Sequence, residues 1–188
     1  MLRRIGRRMQ VHQIESLPDY LAYLREHEGE AEELFKDLLI TVTNFFRDAD
    51  AFETLREEVV PELFAEKDAG DTVRVWAAGC ATGEEAYSLA ILLHEHAAAL
   101  QSSSAPVPEI QVFATDLGEE AVHTARAGYY SDNIAADLSD ERLERFFENE
   151  SGGYRVRRRI RESVIFARHD LMSDPPFSRL DRWCAATS

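Results

Sequence analysis

The feature that most constrains the fold is a glycine-containing loop between a strand pattern and a helix pattern. Residues 73–78 form a short, mainly apolar segment that contains two β-branched valines. Gly79 and Gly83 follow this segment, with three residues between the two glycines. A helical pattern begins directly after the loop, and a second strand pattern at 110–114 runs into Asp116. Strand, glycine loop, helix and strand make a βαβ unit, so the sequence predicts a parallel α/β sheet.

The N-terminal part of the chain shows helical patterns alone. Residues 1–67 carry apolar side chains at three- and four-residue spacing, and no strand pattern interrupts them. Ser16 is expected to cap one helix, another is expected after Asp48, and Pro61 should kink or restart it. We therefore predict a small helical domain over 1–67 and a second domain over 68–188.

Past the βαβ unit the sequence predicts an antiparallel insertion. Ser139 is expected to cap a helix, and Tyr154, Val156, Arg158 and Ile160 alternate with intervening arginines, as one face of a strand would. The expected partner of that strand is 164–166, paired antiparallel with it.

Composition excludes several classes of protein. The formal net charge is −14, from 21 Lys and Arg against 35 Asp and Glu, and there are 2 cysteines. These counts argue against a disulfide framework, a cysteine-rich zinc site and sequence-independent nucleic-acid binding. The histidines lack metal-ligand spacing with cysteine or acids, so no metal is expected. No apolar stretch reaches the roughly 18 residues of a membrane span, and no secretory signal opens the chain. We expect a cytoplasmic protein without membrane insertion.

Two arginine clusters stand out against the acidic background. Each is either a solvated face or a docking patch for an acidic partner. The first comprises Arg3, Arg4, Arg7 and Arg8, and the second comprises Arg155, Arg157, Arg158, Arg159 and Arg161.

The acids after the glycine loop indicate the kind of ligand. A dinucleotide would rest its pyrophosphate on the first turn of the helix, but Glu84 and Glu85 stand there and would repel phosphate. S-adenosylmethionine carries a sulfonium and an ammonium, has no phosphate, and offers a ribose to an acid such as Asp116. The alternatives are an ordinary βα turn and a solvated acid at a helix N-terminus.

Four sequence blocks resemble the chemotaxis receptor methyltransferases, the CheR family. They lie in family order at 38–48, 75–90, 113–116 and 174–178, and the resemblance is collinear over nearly the whole chain. It implies an α/β protein with a small N-terminal helical domain and an incomplete class I (Rossmann-like) methyltransferase domain. An antiparallel β-subdomain, at about 129–163, would be inserted in the latter.

The resemblance also implies a reaction, a cofactor and partners. S-adenosyl-L-methionine would donate a methyl group to glutamate side chains of methyl-accepting chemoreceptors or related signalling proteins. Receptors would dock through the N-terminal basic helix or the β-subdomain, which match the two arginine clusters. The alternative functions are a non-catalytic module that binds receptors or signalling proteins and a methyltransferase that acts on another substrate.

The resemblance assigns site residues position by position. Arg47 is implied as the catalytic residue, orienting the incoming carboxylate or holding the carboxylate of the cofactor; the alternative is an ion pair joining the two domains. Asp170 falls near the adenine. The implied cofactor-binding residues are Thr41, Thr43, Arg47, Gly79, Gly83, Glu84, Asp116 and Asp170. A glutamate substrate is ionised at neutral pH, with a pKa of about 4.3, so no general base is required.

The end of the chain departs from the family pattern. After Asp181 the family continues into a buried strand and a Cys-Arg-Asn-Leu block, whereas residues 182–188 show no strand pattern. We expect a C-terminal truncation, caused by a frameshift near residue 182, and impaired methyl transfer by this chain alone.

Overall fold

The protein forms two compact units in the computed structural model, which describes residues 2–39 and 43–185. The units are Met1–Val42 and Thr43–Ser188. The boundary differs from the one expected near residue 67, because Val60 and Phe64 are buried in the same apolar core as the strands that follow them.

The first unit consists of three helices: α1 (Leu2–Val11), α2 (Leu17–Glu26) and α3 (Glu28–Leu39). Ser16 caps α2, since its Oγ accepts a hydrogen bond from the Asp19 backbone N–H at 3.2 Å, which confirms the predicted cap. Tyr20 is the buried residue of α2.

A buried carboxylate, Glu30, joins the three helices. Its Oε1 accepts from Arg8 Nε at 2.9 Å and from the Tyr20 hydroxyl at 2.6 Å. Its Oε2 lies 2.6 Å from His12 Nε2 and also accepts from the second guanidinium nitrogen of Arg8. Hydrogen bonding to Arg8 is the main reason that the pKa of Glu30 is lowered to about 2. Arg8 is thus directed at a buried acid and is not part of a solvated basic face.

The second unit begins with helices in front of the first strand. Helix α4 (Ala49–Thr54) is capped by Asp48, a π-helical turn covers Leu55–Val59, and α5 spans Val60–Ala65. Pro61 stands in the first turn of α5, which confirms the prediction that it restarts the helix. The remaining helices are α6 (Glu84–Ser102), α7 (Glu119–Ala127), α8 (Asp140–Phe146) and α9 (Arg158–Glu162), with a 3₁₀ turn at Asp132–Ala136.

The main sheet has four parallel strands in the order β6-β2-β1-β7. They are β1 (Thr72–Ala78), β2 (Glu109–Asp116), β6 (Val164–Arg168) and β7 (Arg182–Ala185). The predicted βαβ unit is confirmed, with Val75 opposite Val112 in the β1–β2 register. Helix α6 packs into the core with Ala86 through Leu93 buried on nearly every side.

Two strand predictions are wrong. The strand at 164–166 pairs in parallel with β2, through Val112 and Val164, and not antiparallel with 154–160. The segment Arg182–Ala185, judged to lack a strand pattern, pairs in parallel with β1. In both cases a neighbouring strand supplies the backbone partners, which local composition does not encode.

The antiparallel insertion is present with a different set of strands. Its order is β3-β5-β4, with β3 at Tyr129–Ser131, β4 at Phe147–Glu150 and β5 at Gly153–Val156. The predicted strand 154–160 stops at Val156, and the arginine-rich segment after it forms the helix α9. Ser139 caps α8 as predicted.

Among the residues that the structure describes, no helix combines the length and the apolar character needed to cross a lipid bilayer.

Candidate functional site

The glycine loop turns tightly between β1 and α6. Gly79 and Gly83 both have positive φ, 75° and 97°, which glycine adopts without strain. The backbone N–H groups of Gly79 and Cys80 donate to the Thr115 carbonyl at 2.7 and 2.9 Å, so the loop is fixed to the end of β2. A Cβ at Gly83 would lie 2.8 Å from the Ala125 Cβ, and this close packing against α7 leaves no room for a side chain.

Asp116 closes the other side of the loop. One carboxylate oxygen accepts from the Ala81 N–H and the other from the Gly118 N–H, each at 2.8 Å. A carboxylate has about four acceptor positions, so each oxygen retains one for hydroxyl groups of a ligand. This is the arrangement with which α/β sheets bind a ribose at the carboxyl end of a strand.

Glu84 is a buried acid in the first turn of α6, with 9% of its surface exposed. The Thr82 hydroxyl donates to its Oε2 at 2.6 Å. Within 2–39 and 43–185, no other side chain donates to it. Burial raises the pKa of Glu84, nearby Asp137 adds to this effect, and the Thr82 hydrogen bond opposes it. The carboxylate is therefore desolvated, and among the described residues no cation compensates its charge.

The segment 43–47 lies against the same turn of α6. The Phe46 N–H donates to Ser88 Oγ at 3.0 Å, and that hydroxyl donates to the Glu84 carbonyl at 2.7 Å. Phe46 has φ 50°, a left-handed conformation that costs a bulky residue roughly 1–2 kcal/mol. Such strain persists where the surroundings impose it, and it is common at functional sites.

The neighbouring aromatic residue anchors the segment in the core. Phe45 is 2% exposed and packs edge-to-face on Tyr130 and Phe147, with ring centroids 5.0 and 5.3 Å away. Thr43 is half-buried at the start of the segment. Asn44 Nδ2 lies 3.5 Å from an Asp137 carboxylate oxygen, which brings a second acid to the site.

Arg47 is exposed at the end of this segment. It lines a surface pocket of 360 Å³ together with Asp48, Ala49 and Asp50. Its positive charge lowers the pKa of Glu85, although burial raises that pKa by more. Arg47 therefore lies within electrostatic reach of the N-terminal turn of α6.

Asp170 follows β6 and shapes a turn with its side chain. Its carboxylate accepts from the Met172 N–H and the Ser173 hydroxyl, each at 2.9 Å, and these hydrogen bonds lower its pKa. The His169 N–H donates to the Asp116 carbonyl at 3.0 Å, which sets the turn beside the end of β2. The side chain of Asp170 is thus used within its own loop, while its backbone lies at the edge of the site.

The structure brings together Gly79, Gly83, Glu84 and Asp116 around one loop. Arg47 ends the segment 43–47, which lies against the same helix, and its charge acts on Glu85. Asp170 borders Asp116 from the next strand, and Thr41 lies outside the described residues. Sequence reasoning missed three contributors, which are Thr82, Ser88 and Asp137. Thr82 and Ser88 lie two and four residues from Glu84, so their proximity to it could have been predicted from the local sequence. Asp137 is distant in the sequence and approaches the site only through the fold of the insertion.

The second arginine cluster is largely paired with acids of its own subdomain. Arg155 lies 2.6 Å from a Glu150 oxygen, and Arg158 lies 2.7 Å from a Glu162 oxygen. Arg157 lies 3.6 Å from a Glu148 oxygen. Much of the positive charge of this cluster is therefore balanced locally.

Comparison with protein families assigns both parts of the chain. The family described as "CheR methyltransferase, SAM binding domain" matches residues 41–183, and "CheR methyltransferase, all-alpha domain" matches 1–39. The chain belongs to the CheR methyltransferase family. The predicted fold of a helical N-terminal domain and a Rossmann-like domain is confirmed, as is S-adenosylmethionine as the cofactor of this CheR domain.

Individual relatives agree with the family. This CheR chain is 47% identical over 179 residues to an uncharacterized 104.1 kDa protein of Rhodobacter capsulatus, covering 95% of the chain and 18% of that protein. It is 34% identical to chemotaxis protein methyltransferase 1 of Pseudomonas aeruginosa, covering 90% of the chain and 62% of the relative. It is 28% identical to the chemotaxis protein methyltransferase of Listeria monocytogenes, and the match covers 83% of the chain and 56% of that relative. The chain thus spans little more than half the length of these two methyltransferases.

The residues around the CheR loop fit S-adenosylmethionine. The ligand carries positive charge, and Glu84 is a desolvated carboxylate to which no cation in the described part of the chain is paired. Asp116 retains acceptor positions for ribose hydroxyls, and the first turn of α6 holds acids where a phosphate ligand would be repelled.

Proposed function

We propose that this chain binds S-adenosylmethionine at the Gly79–Gly83 loop and serves methyl transfer to glutamate side chains of chemoreceptors in the cytoplasm. The observation that carries the proposal is the buried carboxylate of Glu84 in the first turn of α6, whose pKa is raised by burial. The similarity to chemotaxis protein methyltransferases of Pseudomonas aeruginosa and Listeria monocytogenes supports the chemotactic role.

Each site residue is assigned a binding task. Glu84 faces the positive charge of the cofactor, which replaces the solvation that the carboxylate loses on burial. Asp116 accepts from the ribose hydroxyls, and the backbone of Gly79 allows close approach of the ligand. Arg47, which is exposed beside the helix turn, binds a carboxylate, either the cofactor's own or that of the incoming glutamate.

The chemistry requires positioning and no proton transfer. When bound, the cofactor supplies an electrophilic methyl group on a sulfonium. The substrate glutamate is already ionised at neutral pH, since its pKa is about 4.3. The residues of this chain therefore have to align two reactants and exclude water. Alignment of the reactants is the main contribution to the rate enhancement in such reactions.

Calorimetric titration with S-adenosylmethionine tests the proposal. We expect the 188-residue chain to bind, and Glu84→Gln to weaken binding by about 100-fold, since removing one charge of a buried pair costs roughly 2–5 kcal/mol. Glu119→Gln is the matched control, because Glu119 is an exposed acid in the first turn of α7. It should change the affinity by less than about twofold.

Two outcomes contradict the proposal. One is the absence of binding to the wild-type chain, and the other is equal binding by wild type and Glu84→Gln. Substrate class is tested separately, by transfer of a labelled methyl group to a receptor cytoplasmic fragment. Label that is released by mild base identifies a carboxyl methyl ester, and base-stable label would instead indicate a nitrogen or other acceptor.

A further inference from the structure

The position of Arg47 depends on a segment without regular structure. Residues 43–48 lie before α4 and belong to no helix or strand. Phe46, the residue before Arg47, adopts φ 50°, which a bulky side chain rarely takes without external support. Contacts to Phe46 therefore bear on the direction in which the chain continues to Arg47.

Arg142 covers the ring of Phe46 from another element. Its guanidinium carbon lies 4.1 Å from the Phe46 ring centroid, within the range of a cation–π contact. Arg142 belongs to α8, which lies between β3 and β4 in the antiparallel insertion. The contact joins the insertion to the segment that ends in Arg47.

A second contact fixes the plane of the Arg142 guanidinium. Its Nε and Nη2 donate to the two carboxylate oxygens of Glu95 on α6, each at 2.9 Å. Both side chains are about one-quarter exposed. A bidentate pair holds both the direction and the plane of the guanidinium, which lysine cannot reproduce. Glu95, Arg142 and Phe46 thus form one continuous clamp.

We propose that Arg142 is a positioning residue that holds the Phe46 ring in place and thereby sets Arg47 beside the first turn of α6. The part of the inference that concerns the cofactor rests on the proposed function. The part that concerns the place of Arg47 stands on the ligand-free protein.

Arg145 provides a matched control on the same helix. Its guanidinium carbon lies 5.1 Å from the ring centroid of Phe146, its sequence neighbour. It resembles Arg142 in charge and in type of contact, but its ring partner lies outside the segment 43–48.

The first experiment follows the Glu85 carboxyl by NMR titration in the ligand-free chain. Arg47 lowers the pKa of Glu85, so Arg47→Gln should raise it. If Arg142 positions Arg47, Arg142→Met raises the pKa of Glu85 as well, and it has no further effect in the Arg47→Gln background. Arg145→Gln leaves the titration unchanged. A wild-type titration curve in Arg142→Met would overturn the proposal, and so would an equal shift in both backgrounds.

The second experiment measures S-adenosylmethionine affinity in the same four combinations of residues 47 and 142. We expect Arg142→Met to weaken binding by about tenfold when Arg47 is present and by less than about twofold when it is absent, because two residues that act through one contact are not additive. Arg142→Lys should recover part of the loss, since it keeps the charge without the bidentate pair. Equal losses in both backgrounds would contradict positioning.

The two experiments separate the two claims. If the wild-type chain does not bind the cofactor, the proposed function fails, and the Glu85 titration still decides the role of Arg142. If Arg142→Met does not fold, Arg142→Lys takes its place in both experiments. A shift of the Glu85 pKa towards the Arg47→Gln value is again the expected result.

Discussion

Glu30 and Glu84 are both buried carboxylates on helices, and the protein surrounds them in opposite ways. Glu30 in the helical unit is 6% exposed and interacts with Arg8, His12 and Tyr20. Glu84 in the sheet-containing unit is 9% exposed and, among the described residues, receives one side-chain hydrogen bond, from Thr82. The pKa of Glu30 is lowered to about 2, whereas that of Glu84 is raised.

The difference distinguishes a structural acid from a binding acid. A buried carboxylate whose acceptor positions are filled by the protein's own cation stabilises the folded state and has little left to offer a ligand. A carboxylate that is desolvated without a cation destabilises the ligand-free fold and gains most when a positive ligand arrives. The two kinds of acid are not distinguished by their burial. They are distinguished by the groups that donate hydrogen bonds to the carboxylate.

Removing the charge of Glu30 should have the largest effect on stability. Glu30→Gln leaves Arg8 without its carboxylate and should lower the free energy of unfolding of the helical unit by about 3 kcal/mol. Urea unfolding followed by circular dichroism measures this. Glu26→Gln, at an exposed position of α2, should change stability by less than about 0.5 kcal/mol. Equal effects of the two substitutions would show that the Glu30 cluster is not structural.

The same comparison has a pH dependence of defined sign. The pKa of Glu30 is lower in the folded state than its ordinary 4.5, so the unfolded state binds more protons as the pH falls. The stability that Glu30 contributes is complete above about pH 4.5 and is lost as the pH decreases towards about 2. In Glu30→Gln, the loss of stability over this window should be smaller. An unchanged pH profile would contradict the assignment.

Glu84→Gln should change the free energy of unfolding in the opposite direction to Glu30→Gln and by a smaller amount. Because the folded state raises the pKa of Glu84, ionisation of this group above its ordinary pKa opposes folding. Glutamine removes the charge and keeps an oxygen that accepts from Thr82, so the ligand-free chain should gain about 0.5–1 kcal/mol at neutral pH. Thermal unfolding at pH 7 measures the gain. A loss of stability comparable to that of Glu30→Gln would place Glu84 among structural acids.

The smallest effect is expected in the second arginine cluster. Arg158 pairs with Glu162 at i,i+4 spacing, and their side chains are 82% and 60% exposed. Solvent and salt screen such pairs, so Arg158→Ala should leave the Tm unchanged within reproducibility. A clear drop in Tm would contradict this prediction, since it would show that an exposed ion pair of the subdomain contributes measurably to stability.

Sequence patterns predicted the centre of the molecule better than its periphery. The βαβ unit was predictable because Val73 and Val75, the glycine loop and the helix after it are adjacent in the chain. The strand at Phe147–Glu150 carries polar residues and forms because β5 lies beside it. Its pairing, like those of 164–168 and 182–185, depends on tertiary neighbours that local composition does not record.

The site shows the same division. Glu84 and Asp116 were predictable because each follows a strand pattern at the glycine loop. The left-handed Phe46 has no sequence signal, since its backbone and its ring contact Ser88 and Arg142 on distant elements. Local patterns therefore predicted the two acids beside the glycine loop, whereas the contacts of Phe46 to distant elements carry no local signal.

The most direct test of the account is an NMR titration of the Glu30 and Glu84 carboxyl groups in one sample, without and with saturating S-adenosylmethionine. Without ligand, Glu84 should titrate above its ordinary pKa and Glu30 below it. The ligand should lower the pKa of Glu84, because a nearby positive charge favours the ionised carboxylate, and leave that of Glu30 unchanged. An unchanged Glu84 titration in the saturated chain, or equal shifts of both groups, would contradict the assignment of Glu84 as the binding acid.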